Sequence, residues 1–156
     1  SVYCLCEEQG MQLSIPELQT IATYQLPVKI LNLRSQGNAT IRKIQKDFFG
    51  SRYVGTENKI LVHPPATEEI AQIYEIPVIE IKSQKYIKDG LNEFLSQKGP
   101  VICEIQVDSD QELIPRMGFT IKNDGKWLAK PLEDMYPFLD REVLQKAMCI
   151  DLWEED

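Results

Sequence analysis

The chain has 156 residues, 43% of them hydrophobic and 26% charged, and its 24 acidic against 17 basic residues leave a formal charge of -7. That length suits one domain with a real hydrophobic core, and the acidic excess argues against nucleic-acid backbones and anionic lipid as partners. No apolar run approaches the ~20 residues needed to span a bilayer, and no charged-then-apolar signal segment opens the chain.

Val2-Tyr3-Cys4-Leu5-Cys6 reads as a buried strand with nothing before it, the mark of a fragment cut from a longer α/β domain. From Met11 to Gln45 the pattern is a strand end, a capped helix, a second buried strand and a loop opening into another helix. Ser14-Ile15-Pro16-Glu17 has the form of a capping box, with Pro16 tolerated in the first turn. The helix that follows buries Leu18, Ile21 and Ala22 and stops before Pro27. Val28 to Leu33 is too apolar for a strand with a solvated face. Arg34-Ser35-Gln36-Gly37 is a polar turn, and a helix runs from about Asn38 to Phe48.

Phe49 to Pro65, with Gly50, Gly55, Pro64 and Pro65, reads as a long loop, of a length that is usually either functional or disordered. Thr67 to Tyr74 is a short helix turning Ile70, Ala71 and Ile73 inward. Pro77 to Ile81 is a strand, and Ser83 to Gln97 is an amphipathic helix with Ile87, Leu91, Phe94 and Leu95 as its stripe, interrupted by Gly90. Val101 to Val107 is a further strand. Beyond Asp108 the pattern loosens into a segment with Pro115, Pro131 and Pro137 and a short helix near Arg141 to Met148.

Strands alternating with helices imply parallel pairing with right-handed crossovers. The expected fold is α/β: a three-layer αβα domain with a mainly parallel sheet, its N-terminal unit missing. Residues 1–107 form the core, and 108–156 form a C-terminal tail that packs on the same domain. Ligands of such sheets sit beyond the carboxyl ends of the strands. Here those ends are Cys6 to Gly10, Arg34 to Gly37 and the loop after Val107.

Other chemistry-bearing residues have plainer readings. Cys4, Cys6, Cys103 and Cys149 match no zinc spacing and read as buried free thiols in a reducing cytoplasm. His63, the one histidine, reads as a loop surface side chain, and Arg42 and Arg52 as solvated charges. Trp127 and Trp153 read as anchors of the tail, Glu133 and Asp134 as an acidic turn without a catalytic role, and Glu154-Glu155-Asp156 as a solvated end. No glycine-rich phosphate loop follows a strand, which disfavours an unrelated nucleotide-binding module.

Gln12 to Ile21, Leu26 to Ile30, Gln36-Gly37 and Ile41-Arg42 together resemble the thiamine-diphosphate-dependent enzymes, in their acetolactate-synthase-like branch. The likeness continues through Ala71-Gln72-Ile73-Tyr74, Gly99 to Glu104, Glu112 to Pro115 and Pro131 to Met135. The matching part is the C-terminal diphosphate-binding domain. The resemblance implies thiamine diphosphate and Mg2+ as cofactors, and chemistry on carbon–carbon bonds next to a carbonyl. It also implies a partner pyrimidine-binding domain of the same family that supplies the activating glutamate, a homo-oligomeric assembly, and a cytoplasmic location. It implies neither nucleic acid nor membrane as partner.

In that family a Gly-Asp-Gly motif ends one strand and an Asn-Asn pair ends the next. The Asp, the second Asn and a backbone carbonyl hold magnesium on the diphosphate, as hard oxygen donors suit that ion. This chain places Glu7-Glu8-Gln9 at the first motif and Arg34-Ser35 at the second. The metal positions implied are therefore Glu8, Ser35 and the carbonyl of Gly37, the first two substituted. The cofactor-binding positions implied are Gly10, Arg34 and Gly37. Side chains now stand where bare backbone would approach the diphosphate, and two carboxylates face an anion. Arg34 is expected to pair with Glu7 or Glu8 across adjacent strand ends and fill the vacated pocket. The chain alone is expected to be inactive, with a cofactor-free pseudoenzyme or assembly module as the alternative reading.

Overall fold

The computed structural model describes residues 1–35, 37–56, 65–112 and 114–150. Gln36, Leu113, His63, Trp153, the acidic end Glu154 to Asp156 and part of the expected Phe49–Pro65 loop lie outside the described residues. The chain divides into two compact units, Ser1–Gln111 and Glu112–Asp156.

Among the described residues of the first unit, strands β1 (Val2–Glu7), β2 (Val28–Arg34), β3 (Val78–Ile81) and β4 (Val101–Gln106) build one sheet. All of its pairings are parallel, in the order β1-β2-β4-β3. Helices α1 (Glu8–Leu13), α2 (Glu17–Thr23), α3 (Ala39–Phe48), α4 (Thr67–Ile73) and α5 (Ile87–Ser96) fill the crossovers. Because strand side chains alternate between faces, two apolar clusters form. On one face Ile30 and Ile102 pack with Met11 of α1, Leu18 of α2 and Ile70 and Ala71 of α4. On the other, Ile79, Ile81, Val101 and Cys103 pack with Phe94 of α5. The result is the α/β layering that alternating strands and helices imply, with helices on both faces of a parallel sheet.

Local chemistry explains several departures from the sequence reading. Met11 does not end a strand. β1 stops at Glu7 and α1 starts at Glu8, turning Met11 into the first cluster. Ser14 then closes α1 and does not cap α2 through its hydroxyl. Its backbone carbonyl accepts from the Glu17 amide at 3.0 Å, and Pro16 is the cap residue, with no side-chain cap bond. Ile73 is 76% exposed because Ile70 and Ala71 already occupy the inward side of the short α4. On α5 only Phe94 is fully buried, while Ile87 and Leu95 lie on its shoulders and are exposed.

β1 is apolar but not buried: Val2, Tyr3 and Leu5 are 61%, 55% and 70% exposed. Its position explains this. β1 ends the strand order, and Tyr3 and Leu5 sit on the face that α5 covers over β3 and β4, opposite Lys29 and Leu31. Cys4 and Cys149 are likewise exposed, whereas Cys103 is buried and Cys6 half-buried; all four are free thiols.

The second unit contains an antiparallel hairpin that its loose pattern concealed, β5 (Phe119–Ile121) and β6 (Trp127–Ala129). Lys122 and Lys126 close its turn, where Asp124 accepts from the Lys126 amide and Gly125 takes a left-handed φ of 81°. Asp140 caps α6 (Arg141–Ala147) through the Glu142 amide at 3.0 Å. Asp134, 5% exposed, receives both Arg141 guanidinium nitrogens at 2.7 Å. Among the described residues no helix is long and apolar enough to cross a membrane.

Candidate functional site

The carboxyl ends of β1, β2 and β4 bring together the residues singled out by motif position. Register aligns Cys6 with Asn32, Asn32 with Glu104, and Glu104 with Glu80, so one polar row crosses the sheet. Arg34, two residues beyond Asn32, projects on the same face as that row. Glu8 enters from the first turn of α1, directly after β1.

These groups form an ion cluster. Arg34 Nη1 donates to Glu104 Oε1 at 2.9 Å, and Arg34 Nε lies 3.6 Å from Glu8 Oε1. Glu104 and Glu8 are buried, at 2% and 5% exposure. Burial pushes the Glu8 carboxyl above its ordinary range, Arg34 opposes that, Glu104 adds to it, and a hydrogen bond from the Gly37 amide opposes it. Arg34 is held protonated chiefly by its hydrogen bond to Glu104. The expected Arg34–Glu8 pair is present, but its stronger partner is Glu104. Glu7 instead accepts from Thr40 Oγ1 at 3.2 Å, out on the surface.

The loop after β2 is closed on itself. Ser35 Oγ donates to the carbonyl of Gly37 at 2.8 Å, so the two positions implied as oxygen donors bond to each other. Gly37 has φ 146°, and a Cβ there would stand 2.6 Å from the Thr56 carbonyl. Only glycine permits that approach. Gln45 of α3 fixes the approaching segment, bonding the Val54 amide and carbonyl and the Thr56 hydroxyl. Asn38 caps α3 through the Ile41 amide and also donates to Gln9 Oε1 at 3.2 Å, which ties the two loops together. Gly10 lies inside α1, where a Cβ would meet only Cys6 Cβ at an ordinary 3.8 Å.

Sequence reasoning missed Asn32 and Glu104. Asn32 is fully buried and donates to Thr67 Oγ1 at 3.0 Å, linking β2 to the start of α4. The available signal was a single carboxylate inside the otherwise apolar Val101 to Ile105, since a buried charge demands a counter-charge. Arg42 stacks on the Tyr53 ring at 4.9 Å and faces Asp110 at 3.8 Å, while Arg52 is exposed. Among the described residues no group of three or more His, Cys, Asp or Glu side chains is placed to hold a metal ion.

A loop pair of this layout at the ends of adjacent parallel strands points to a specific ancestry. Residues 1–105 match the family described as thiamine pyrophosphate enzyme, C-terminal TPP binding domain. The chain belongs to that family. Among curated relatives, the acetolactate synthase large subunit of Pyropia yezoensis is 28% identical over 114 residues, covering 73% of this chain and 19% of that protein. The acetolactate synthase of Arthrospira platensis is 28% identical over 115 residues, covering 74% and 20%. The isozyme 2 large subunit of Escherichia coli K12 is 26% identical over 115 residues, covering 74% and 20%. The chain therefore spans about a fifth of the length of these relatives. The matched range contains all of β1 to β4 save Gln106, and with them Glu8, Gly10, Arg34, Ser35, Gly37 and Glu104 of this TPP-family domain.

Proposed function

We propose that this chain is the thiamine-diphosphate-type domain of an acetolactate-synthase-like protein whose magnesium and diphosphate place is taken by its own side chains. It then serves as a folded, cofactor-free part of a larger assembly. The reading rests on one observation above all: the Ser35 hydroxyl donates to the Gly37 carbonyl, so two of the three donor positions are turned toward each other. Magnesium wants several oxygens at about 2.0–2.1 Å in near-octahedral order. The third donor, Glu8, faces the Arg34 guanidinium across 3.6 Å. The side chains of Glu7, Glu8 and Gln9 stand where a diphosphate would need bare backbone. The residues present do not fit a magnesium diphosphate, and no catalytic step is assigned to them.

A wider setting is part of the same proposal. A pyrimidine-binding domain of the same family is the proposed neighbour, in a homo-oligomer, with chemistry on carbon–carbon bonds next to a carbonyl belonging to complete, motif-bearing members. A reducing cytoplasm suits four free thiols.

Thermal unfolding with and without thiamine diphosphate plus Mg2+ tests the proposal, since any ligand that binds only the folded state raises Tm. An unchanged Tm at millimolar cofactor is expected. A saturable rise that needs both components together would restore the cofactor-binding reading.

A further inference from the structure

We propose that Arg34 is a tethered cation: as part of the chain it holds the place between two buried carboxylates that a divalent ion could take, and its removal uncovers a divalent-cation site on Glu8 and Glu104. The inference rests on the cofactor-free reading above and adds what replaced the metal.

Three observations carry it. First, Arg34 is shared. Its Nη1 reaches Glu104 at 2.9 Å and its Nε faces Glu8 at 3.6 Å, so one guanidinium from β2 bridges a carboxylate on β4 and another at the start of α1. Second, two buried carboxyl groups share the one Arg34 guanidinium, with the exposed Glu80–Lys82 pair beside them. Glu8 Oε2 and Glu104 Oε2 are each buried and without a hydrogen-bond partner among the described residues. Buried carboxylate oxygens without partners are costly, and hard divalent cations are the ligands that such oxygens satisfy best. Third, the Gly37 carbonyl is engaged by Ser35. An ion admitted here would use Glu104, a residue outside the two loop motifs, as its second anchor.

Elementary electrostatics decides between occupants. A guanidinium fixed on the chain has no entropy of association to lose and is present at every metal concentration, and its charge repels a second cation at contact distance. The intact chain is thus closed to divalent ions. With a neutral side chain at position 34, two inward carboxylates face each other without compensation, which both destabilises the fold and creates the attraction for an ion.

The test uses the full chain and its Arg34→Met variant, with Mn2+ and Mg2+ as probes against EDTA, read by thermal unfolding and titration calorimetry. The wild type is expected to show no Tm change with either ion. Arg34→Met is expected to melt lower in EDTA and to recover several degrees with Mn2+, and Arg34→Met combined with Glu104→Gln to lose that recovery. Arg34→Lys, which keeps a positive charge, is expected to remain indifferent to metal. If Arg34→Met does not fold in EDTA, refolding yield in Mn2+ against EDTA becomes the readout, and an equal failure in both overturns the proposal. A folded Arg34→Met that ignores Mn2+, or a wild type stabilised by Mn2+ alone, also overturns it. A wild-type rise that requires thiamine diphosphate overturns the cofactor-free reading instead, so the two failures are distinguishable.

Discussion

Lys29 Nζ lies 2.6 Å from the carbonyl oxygen of Leu95 and 2.9 Å from that of Phe94. A lysine in the middle of the parallel sheet therefore closes the last turn of α5, where helical carbonyls have no partner within the helix. The side chain is 3% exposed and its ammonium sits 5.6 Å from the centre of the Phe94 ring. Its aliphatic stem runs along apolar surface while its charge meets two dipole ends, an arrangement suited to a long cationic side chain.

Lys29→Met keeps the stem and removes the donor. Two inward carbonyls lose their bonds to a charged group, worth about 1.5–3 kcal/mol together with the desolvation left behind. Urea denaturation should show a lower midpoint with an unchanged slope. An unaltered midpoint would mean that water replaces the ammonium at no cost.

Gly90 lies inside α5, where alanine would ordinarily stabilise the helix by about 1 kcal/mol. Here a Cβ would stand 2.6 Å from Ile81 Cγ1 and 2.8 Å from Cδ1, and Ile81 is buried at the sheet face. Overpacking of that kind costs about 1–3 kcal/mol, so Gly90→Ala should destabilise despite its better propensity. The same change made in an Ile81→Ala background should be neutral or favourable, and equilibrium unfolding of the four chains measures the reversal.

Asp134 contributes to the acid response of the second unit. Its carboxyl is held below the usual carboxylate range, first by the hydrogen bond from Arg141, with burial opposing and the charges of Arg141 and Lys130 assisting. A carboxyl whose pKa is lower folded than unfolded stabilises fully above its unfolded value of about 3.9. That contribution fades as pH falls through the folded value. Asp134→Asn should therefore be less stable than wild type at neutral pH, and the gap should close below about pH 4. Urea unfolding followed by the backbone amides of residues 119–129 across a pH series reads this directly.

The thiols should sort by exposure. Cys103 is fully buried, and burial followed by the nearby Glu93 charge pushes its pKa to about 11. Cys6 is also pushed to about 11, by burial and then by Cys4. Thiolate is the reactive form. A chromogenic disulfide reagent at mildly alkaline pH should therefore label Cys4 and Cys149 quickly, Cys6 slowly, and Cys103 only on unfolding. Rapid labelling of Cys103 would contradict the packing of β4 against α5.

Period and punctuation made much of the first unit legible. β2, β3 and β4 are short apolar runs bounded by Pro27, Pro77 and Pro100, and the stripes of α2 and α5 locate Leu18 and Phe94. α1 was not legible, because six residues whose one buried apolar side chain is Met11 carry no helical period. The β5–β6 hairpin was hidden because each strand has three residues, although Asn123-Asp124-Gly125 marks its turn. At the site, opposite charges at the ends of adjacent strands were enough to pair Arg34 with Glu8. Glu104 was out of reach of that reasoning. It meets Arg34 only because β4 inserts between β2 and β3, and strand order is not written in local pattern.

Among the described residues β1 ends that strand order, with Val2, Tyr3 and Leu5 exposed and no charge within Val2–Cys6. Natural sheets usually guard such a rim with lysine, proline or a bulge, and none is present in Val2–Cys6. Concentrated on its own, this polypeptide will meet its limit at that rim before its interior loosens: main-chain groups lacking a mate in one molecule recruit those of another. Crystallisation and storage of this polypeptide therefore hinge on a lysine at position 3 or 5 more than on any gain in melting temperature.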